Sequence, residues 1–310
     1  MGGAEHSLQG RHLTRVADWS RDDLLAVLDL ADDLKERQQR REEHHLLPGR
    51  TLAMIFQKPS TRTRVSFEVG MTQLGGHALY LAAGDLQLGR GETLRDTATV
   101  LSRYVDGIMI RTFAQDDVEE LARHASIPVV NGLTDSSHPC QALADVMTIR
   151  ERLGRLEGVR VAYFGDGNNV CASLMVACAK LGAEFVAATP EGYEPDDEVV
   201  RIAREAGGKI DVVHDPKQAA AGADVLYTDV WTSMGQEEER ERRLRDLDGF
   251  GIDADLVGQA ADGAIVLHCL PAHYGEEITE DVLYGGQSAV WDEAENRLHA
   301  QKALLALVVH

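Results

Sequence analysis

The fold is decided by the stretch Ser60-Thr61-Arg62-Thr63-Arg64 and the segments on either side of it. An apolar run, 52–56, precedes it, and a segment with helical periodicity, 65–74, follows. This succession predicts a strand, a loop and a helix, with the polar stretch at the helix N-terminus. Free backbone N–H groups and the helix dipole favour an anion there, and two arginines add donors suited to a phosphate. The alternative is an ordinary N-cap beside two surface arginines.

The composition narrows the class of protein. The chain has 310 residues, enough for about two domains. Asp and Glu outnumber Lys and Arg by 51 to 31, which leaves a net charge of −20. So acidic a surface repels nucleic acid and anionic membranes, and therefore the basic stretch at 60–64 indicates a small anionic ligand. The acidity also suggests adaptation to high salt, because dissolved ions screen self-repulsion.

Several features predict a cytoplasmic protein. Residues 1–15 lack the apolar segment of a secretory signal, and no apolar run approaches the ~18 residues of a membrane helix. The cysteines, which are spread without a C-x-x-C pair, fit a reducing compartment; they are Cys140, Cys171, Cys178 and Cys269.

Strands alternate with helices along both halves of the chain, which predicts an α/β protein with two doubly wound parallel-sheet domains. We expect the domains to span 1–147 and 148–290, followed by a final helix within 291–310. Ligands bind such sheets outside the carboxyl ends of their strands. The polar residues that follow strands of the first half can therefore converge; they are Ser60, Arg62, Thr63, Arg111 and His138.

The second half offers weaker signals. Gly165-Asp166-Gly167-Asn168-Asn169 follows a strand, but it lacks the third glycine of a dinucleotide-binding turn, so a nucleotide cofactor is disfavoured. Its asparagines either donate to a carboxylate or cap the next helix. Asp229, which also follows a strand, either holds a substrate amine or belongs to a turn. The charge run 236–245 predicts a solvated helix or a mobile lid.

The stretch His268-Cys269-Leu270-Pro271-Ala272-His273 contains two histidines and a cysteine, which suggests either a metal site or a nucleophilic Cys–His pair. Its spacing does not match a structural zinc site. A nucleophilic Cys–His pair is also conceivable, but adjacent residues at a strand end point in opposite directions, so His268 is poorly placed to activate Cys269. Arg297 lies on the predicted final helix, and the alternative to a functional role is a surface arginine lying over the core.

Together these motifs resemble the ornithine carbamoyltransferase branch of the aspartate/ornithine carbamoyltransferase family. The resemblance covers nearly the whole chain, from about residue 13 onward. The matching stretches occur in the same order as in that family; they are 60–64, 109–113, 138–141, 165–169, 229–235, 268–273 and 294–297. The strong acidity and a short loop at 274–277 depart from the family pattern, but neither changes a motif residue.

The resemblance implies that the carbamoyl group of carbamoyl phosphate is transferred to the δ-amine of L-ornithine, giving L-citrulline and phosphate without a metal or organic cofactor. It implies that the first domain binds carbamoyl phosphate and that the final helix returns to that domain. Arg111 and His138 would donate to the carbonyl oxygen, as in an oxyanion hole. Matched by position, the contacts of carbamoyl phosphate are Ser60, Thr61, Arg62, Thr63, Gln87, Arg111, His138, Gln141, Cys269, Leu270 and Arg297.

On the ornithine side, the resemblance implies that Asn169 binds the α-carboxylate together with Ser233 and Met234. Asp229 would bind the α-amine, and Cys269 would lie beside the reacting δ-amine as a third catalytic residue. Gln87 resembles a residue that reaches a neighbouring subunit, which implies a homotrimer or a multiple of trimers. Two alternatives stay open: a sister enzyme that uses another amine, such as putrescine or an acylated ornithine, and a non-catalytic paralogue that binds carbamoyl phosphate.

Overall fold

A computed structural model describes residues 8–82, 84, 86, 91–232 and 237–310. The chain divides into two compact units, one formed by Met1–Ala144 with Asn296–His310 and the other by Asp145–Glu295. Within the described ranges, no helix combines the length and the hydrophobicity that a membrane crossing needs.

The first unit is a four-stranded parallel sheet in the order β2-β1-β3-β4. Its strands are β1 (Thr51–Phe56), β2 (His77–Ala82), β3 (Gly107–Arg111) and β4 (Val129–Leu133). The helices that begin in it are α1 (Arg21–Gln39), α2 (Thr61–Gln73), α3 (Leu94–Leu101), α4 (Gln115–His124) and α5 (Pro139–Leu153), with a short 3-10 helix at Val16–Asp18.

The second unit is a five-stranded parallel sheet in the order β7-β6-β5-β8-β9. Its strands are β5 (Arg160–Phe164), β6 (Glu184–Ala188), β7 (Ile210–Val213), β8 (Val225–Thr228) and β9 (Ile265–His268). The helices that begin in it are α6 (Asn169–Leu181), α7 (Asp197–Glu205), α8 (Pro216–Ala220), α9 (Arg240–Asp246), α10 (Ala254–Val257), α11 (Glu280–Leu283) and α12 (Val290–Val308), with a 3-10 helix at Glu237–Glu239; from Asn296 onward α12 belongs to the first unit. The predicted pair of parallel sheets with flanking helices is confirmed.

Both faces of the central strands are covered, as a parallel sheet requires. In β1, every residue from Leu52 to Phe56 is buried, although neighbouring side chains point to opposite faces. Ala53 and Ile55 pack with Ile108, Ile110 and Val129 in one apolar cluster. The continuous apolar run at 52–56 is therefore the signature of a strand with helices on both sides.

Strand β4 runs through an asparagine, a residue type that is uncommon in strands. Asn131 lies inside the strand and is fully buried. Its N–H donates to the Leu13 carbonyl, and its side-chain amide donates to the Thr14 carbonyl at 2.9 Å. Because these bonds satisfy its backbone N–H and its side-chain NH2 group, an asparagine that normally marks a turn is tolerated in the sheet.

Candidate functional site

The predicted anion-binding stretch lies at the start of α2. Ser60 is the N-cap, and its hydroxyl accepts from the Thr63 N–H at 3.2 Å. Arg62 is half-buried, whereas Thr63 is buried. Ser60 is therefore a helix N-cap, as the alternative interpretation has it. Thr61, Arg62 and Thr63 lie on the first turn of α2, where the helix N-terminus favours an anion.

The two arginines of this stretch differ in their surroundings. Arg64 donates to Glu68 at 3.1 Å, one turn along the helix, and its guanidinium lies 3.9 Å from the ring centroid of Tyr80. Arg62 instead lies close enough to His138 to influence its charge. The expectation that both arginines serve one anion is wrong for Arg64, because its contacts hold it along the exposed face of α2.

The positive charges of three guanidinium groups act on His138. Its pKa lies well below the ordinary histidine value, because burial disfavours the cation and because Arg297, Arg111 and Arg62 repel it. Arg111 is 6% exposed and is the last residue of β3, where it pairs with Phe56 at the end of β1. His138 is therefore a neutral imidazole in a strongly cationic environment, which can donate a hydrogen bond without gaining charge.

Arg297 ties the final helix to this cluster. It is 3% exposed, which rules out the alternative of a surface arginine. It donates to the Gln141 side-chain oxygen at 2.7 Å and to the Thr63 hydroxyl at 3.2 Å. It also donates to Gln301 at 3.0 Å. The site residues Thr63, Gln141 and Arg297, which are far apart in sequence, thus form one buried hydrogen-bonded group.

In the second unit, Asn168 and Asp229 form a second polar cluster. Asn168 caps α6 by accepting from the N–H groups of Val170 and Cys171, and its amide donates to the Asp229 carboxylate at 2.8 Å. Asp229 is 6% exposed and lies directly after β8. Asp229 also accepts from the Cys269 thiol at 2.8 Å, so it connects the ends of β8 and β9 and is not merely a turn residue.

The Cys269 thiol is protonated. Burial of the sulfur and the adjacent Asp229 carboxylate raise the pKa of the thiol well above its ordinary value, so a thiolate nucleophile is disfavoured. The imidazole of His268 turns away: one ring nitrogen lies 3.1 Å from Glu277, and the other accepts from the Leu270 N–H at 2.8 Å. These contacts confirm that His268 does not activate Cys269. They also occupy both nitrogens that a metal could use, although Asp229, His268 and Cys269 lie close together.

Comparisons with known proteins agree with this geometry. Residues 11–151 match the carbamoyl-P binding domain of aspartate/ornithine carbamoyltransferase, and residues 157–308 match its Asp/Orn binding domain. The chain belongs to the aspartate/ornithine carbamoyltransferase family.

Similar members of the family align over almost their whole length. The ornithine carbamoyltransferase of Pyrococcus horikoshii is 59% identical over 307 residues, which are 98% of this chain and 97% of that protein. The ornithine carbamoyltransferase structure from Pyrococcus furiosus has a TM-score of 0.95 at 58% identity, covering 98% of both chains. That from Thermus thermophilus has a TM-score of 0.88 at 45% identity, covering 96% of this chain and 99% of the other.

Not every predicted residue can be located in this carbamoyltransferase. Gln87, Ser233 and Met234 lie outside the described residues. Thr61 is exposed on the first turn of α2, and Asn169 is half-buried as the first residue of α6. The α12 residue Arg297 falls within the matched Asp/Orn binding domain, but its contacts and its compact unit belong with the first half of the chain.

The glycine-rich turn of the carbamoyltransferase has a packing role. A Cβ at Gly167 would lie 2.2 Å from the backbone nitrogen of Pro195, so only glycine fits there. The Gly167 N–H donates to the Tyr193 carbonyl at 2.8 Å. This close approach of two backbone segments explains the second glycine without a bound nucleotide.

A buried lysine that the sequence pattern does not single out lies in the loop between β1 and α2. Lys58 is 5% exposed, forms an ion pair with Asp135, and lies with its ammonium 4.2 Å from the ring centroid of Phe113. It thereby joins the loops that follow β1, β3 and β4. Its position between a strand and a helix N-terminus was the available signal, but nothing in the sequence identifies its partners.

A buried pair of acids under the second cluster was also missed. Glu293 accepts from the backbone N–H of His268 at 2.8 Å and from the Tyr227 hydroxyl at 3.1 Å. Burial and the neighbouring Asp145 carboxyl raise the pKa of Glu293 well above its ordinary value. Glu293 and Asp145 therefore hold a proton between them, and the bond from the His268 N–H to Glu293 anchors the end of β9.

The described part of the charge run, 238–245, is exposed as a solvated helix should be, except at Arg243 and Leu244. Arg243, on α9, is 5% exposed. It forms an ion pair with Asp166 and donates to the Trp231 carbonyl. A charged side chain that pairs with a carboxylate and a carbonyl can be buried, and this cannot be read from charge density alone.

Proposed function

We propose that this chain transfers the carbamoyl group of carbamoyl phosphate to the δ-amine of L-ornithine, producing L-citrulline and phosphate for arginine metabolism. The observation that carries the proposal is the buried, neutral His138, on which the charges of Arg62, Arg111 and Arg297 act, in the same unit as the N-terminus of α2. Such a set of groups suits a small, doubly charged acyl phosphate with a polarisable carbonyl.

For carbamoyl phosphate, we assign the phosphate oxygens to the first turn of α2, namely Ser60, Thr61, Arg62 and Thr63. Arg111 and His138 donate to the carbonyl oxygen, where negative charge develops as the amine attacks. The neutral state of His138 supports this role. A neutral imidazole can donate one hydrogen bond to the carbonyl oxygen, and its lowered pKa means that it does not take up the proton released by the amine. Further contacts with the carbamoyl group or phosphate are assigned to Gln141, Arg297, the backbone carbonyls of Cys269 and Leu270, and Gln87 of a neighbouring copy.

For ornithine, we assign the α-amine to Asp229 and the α-carboxylate to Asn169, Ser233 and Met234. The buried Asp229 carboxylate supports the choice, because its negative charge favours a cationic α-amine. Cys269, held by that carboxylate at 2.8 Å, is assigned a place beside the δ-amine.

The reaction forms a bond between the δ-nitrogen and the carbamoyl carbon and breaks the bond from that carbon to the phosphate oxygen. One proton leaves the nitrogen, and phosphate departs with the bonding electron pair. Because only the neutral amine carries a free electron pair, the rate should rise with pH as ornithine loses its δ-proton. No step draws on a metal or an organic cofactor.

The test is citrulline formation from carbamoyl phosphate and L-ornithine, in dilute buffer and in molar potassium chloride. Putrescine and N-acetylornithine serve as competing acceptors. Putrescine lacks the α-amine that Asp229 is assigned to bind, and in N-acetylornithine this amine is acylated. We expect ornithine to be the best acceptor. A higher kcat/KM for putrescine would assign the chain to a sister enzyme, and no product from any amine would favour the non-catalytic alternative.

The Asp229 assignment makes a prediction of its own. Asp229→Asn removes the charge but keeps the size of the side chain, so KM for ornithine should rise by about 10- to 100-fold, the effect of losing a hydrogen bond to a charged group. KM for carbamoyl phosphate should change little. Asp224→Asn, a carboxylate of the same unit paired with Arg155, is the matched control. Equal weakening of both substrates by Asp229→Asn contradicts the assignment.

We further propose a homotrimer or a multiple of it. Strand β2 is an edge strand, and large apolar side chains are exposed on it and on α2; they are Val65, Val69, Leu79 and Tyr80. An exposed apolar edge of this kind calls for a covering partner. Sedimentation should give about three times the 33.9 kDa chain mass, or a multiple of that. The four cysteines are free thiols, which supports a reducing, cytoplasmic location.

A further inference from the structure

The loop after β9 has an unusual backbone. Leu270 has φ +59°, the left-handed region that a leucine rarely adopts. A residue keeps such a conformation only where its neighbours hold it. Among the bonds of the described residues, the Leu270 N–H donates to the Nδ1 atom of His268 at 2.8 Å. The side chain of His268 therefore stabilises the backbone of the residue two positions later.

This bond sets the protonation of His268. A ring nitrogen accepts an N–H only when it carries no proton, so the imidazole proton must be on Nε2. Nε2 lies 3.1 Å from Oε1 of Glu277, a carboxylate that accepts this proton's hydrogen bond. Both side chains are fully buried. Glu277 thus selects the tautomer that leaves Nδ1 available for Leu270.

Glu277 also holds the other end of the loop. The same oxygen accepts from the backbone N–H of His273 at 2.6 Å. The backbone of Glu277 is itself anchored, because its carbonyl accepts from the Ile252 N–H at 2.9 Å. One carboxylate therefore joins the end of β9 to the residue that closes the loop, with Cys269 and Leu270 between them.

We propose that Glu277 is a positioning residue for carbamoyl transfer: it fixes the His268 tautomer and thereby the backbone of Cys269 and Leu270. The inference rests on the proposed function, which assigns the carbonyls of these two residues to the carbamoyl group. Glu277 touches neither substrate in this assignment. Its effect is on the geometry of the groups that do, and small displacements of such groups are costly to rate.

The first test compares Glu277→Ala with Glu277→Gln. Alanine leaves the Nε2 proton without its acceptor and lets the other tautomer form, so we expect kcat/KM for carbamoyl phosphate to fall by about 100-fold. KM for ornithine, which is assigned to other residues, should change much less. Glutamine keeps a side-chain oxygen in place, so it should retain activity within about threefold. Glu276→Gln is the control, because Glu276 is the preceding residue and pairs with Arg240.

A second pair of variants separates positioning from loss of folding. An asparagine in place of His268 can put an oxygen where Nδ1 lies, whereas a glutamine replaces Nε2 and offers Leu270 no acceptor. We therefore expect His268→Asn to keep a higher kcat than His268→Gln at similar thermal midpoints. This comparison decides the matter if Glu277→Ala does not fold.

The outcomes distinguish this inference from the proposed function. If the wild-type chain forms no citrulline, the proposed function fails, and the positioning role for carbamoyl transfer fails with it. If the wild type is active and folded Glu277→Ala matches it, only the positioning role is overturned. Equal activities of His268→Asn and His268→Gln, or a reversed order, overturn it as well.

Discussion

At the scale of single residues, the same side-chain type has different roles within a few positions. Arg62 lies by the buried His138, whereas Arg64, on the same first turn of α2, is held by Glu68 and Tyr80. The difference follows from helix geometry, because residues two apart point in nearly opposite directions around the axis. A comparison of substitutions at Arg62 and Arg64 therefore separates an effect on ligand binding from an effect of surface charge.

Arg62→Ala should lower kcat/KM for carbamoyl phosphate by about 100- to 1,000-fold, the loss seen when one preorganised donor is removed. Arg64→Ala removes one exposed ion pair and one ring contact, so activity should stay within about threefold and stability should fall by ~1 kcal/mol or less. Steady-state kinetics and thermal melts of both variants make the comparison. Similar losses from the two substitutions would contradict the assignment of the phosphate to Arg62.

His138 predicts a pH dependence of stability. Its pKa in the folded protein lies well below the ordinary value, so the unfolded chain binds a proton at about pH 6.5 that the folded protein does not. The stability contributed by the neutral imidazole is therefore present above that pH and is lost as the pH falls below it. Between pH 7.5 and 5.5, the thermal midpoint of the wild type should fall more than that of His138→Asn. Parallel curves would show that His138 titrates normally.

At the scale of elements, the long helix α12 carries more buried polar groups than its surface-like sequence indicates. Besides Arg297, it buries Lys302, whose ammonium donates to Gln38 at 2.8 Å and to Gln73 at 2.8 Å, and lies 3.1 Å from His44. Gln38 and Gln73 carry no charge, and burial lowers the pKa of Lys302 to about 8. The helix is thus positioned in the first unit by polar bonds as well as by apolar packing.

The lowered pKa of Lys302 predicts that the stability of the folded protein rises in alkaline solution. Between pH 8 and its ordinary pKa of 10.5, the unfolded chain holds the Lys302 proton and the folded protein does not, so stability from this group increases with pH. The thermal midpoint of the wild type minus that of Lys302→Met should therefore grow from pH 7 to pH 9.5. Lys209→Met is the control, because Glu184 raises the pKa of Lys209 and keeps it charged throughout. A difference that is constant with pH would contradict the lowered pKa.

At the scale of the whole molecule, the net charge of −20 dominates. Like charges repel across a compact surface, and salt at 1 M shortens the screening length to about 3 Å. We expect the thermal midpoint and the rate of citrulline formation to rise from dilute buffer to molar potassium chloride. Sucrose at equal osmolality stabilises by exclusion without screening charge, so its effect measures the part of the gain that is not electrostatic. Equal stability in dilute buffer and in potassium chloride would remove the interpretation of salt adaptation.

The sequence by itself determined the alternation of strands and helices, because a buried parallel strand needs an unbroken apolar run such as 52–56 and a helix needs its cap at Ser60. It also determined which motif residues follow strands. Only the tertiary structure decided that Arg297 and Lys302 are buried, that Asp229 holds Cys269, and that Glu277 holds His268. The physical reason is that local propensity depends on neighbours within a few positions, whereas a buried charge is stable only beside partners that the fold brings from distant parts of the chain.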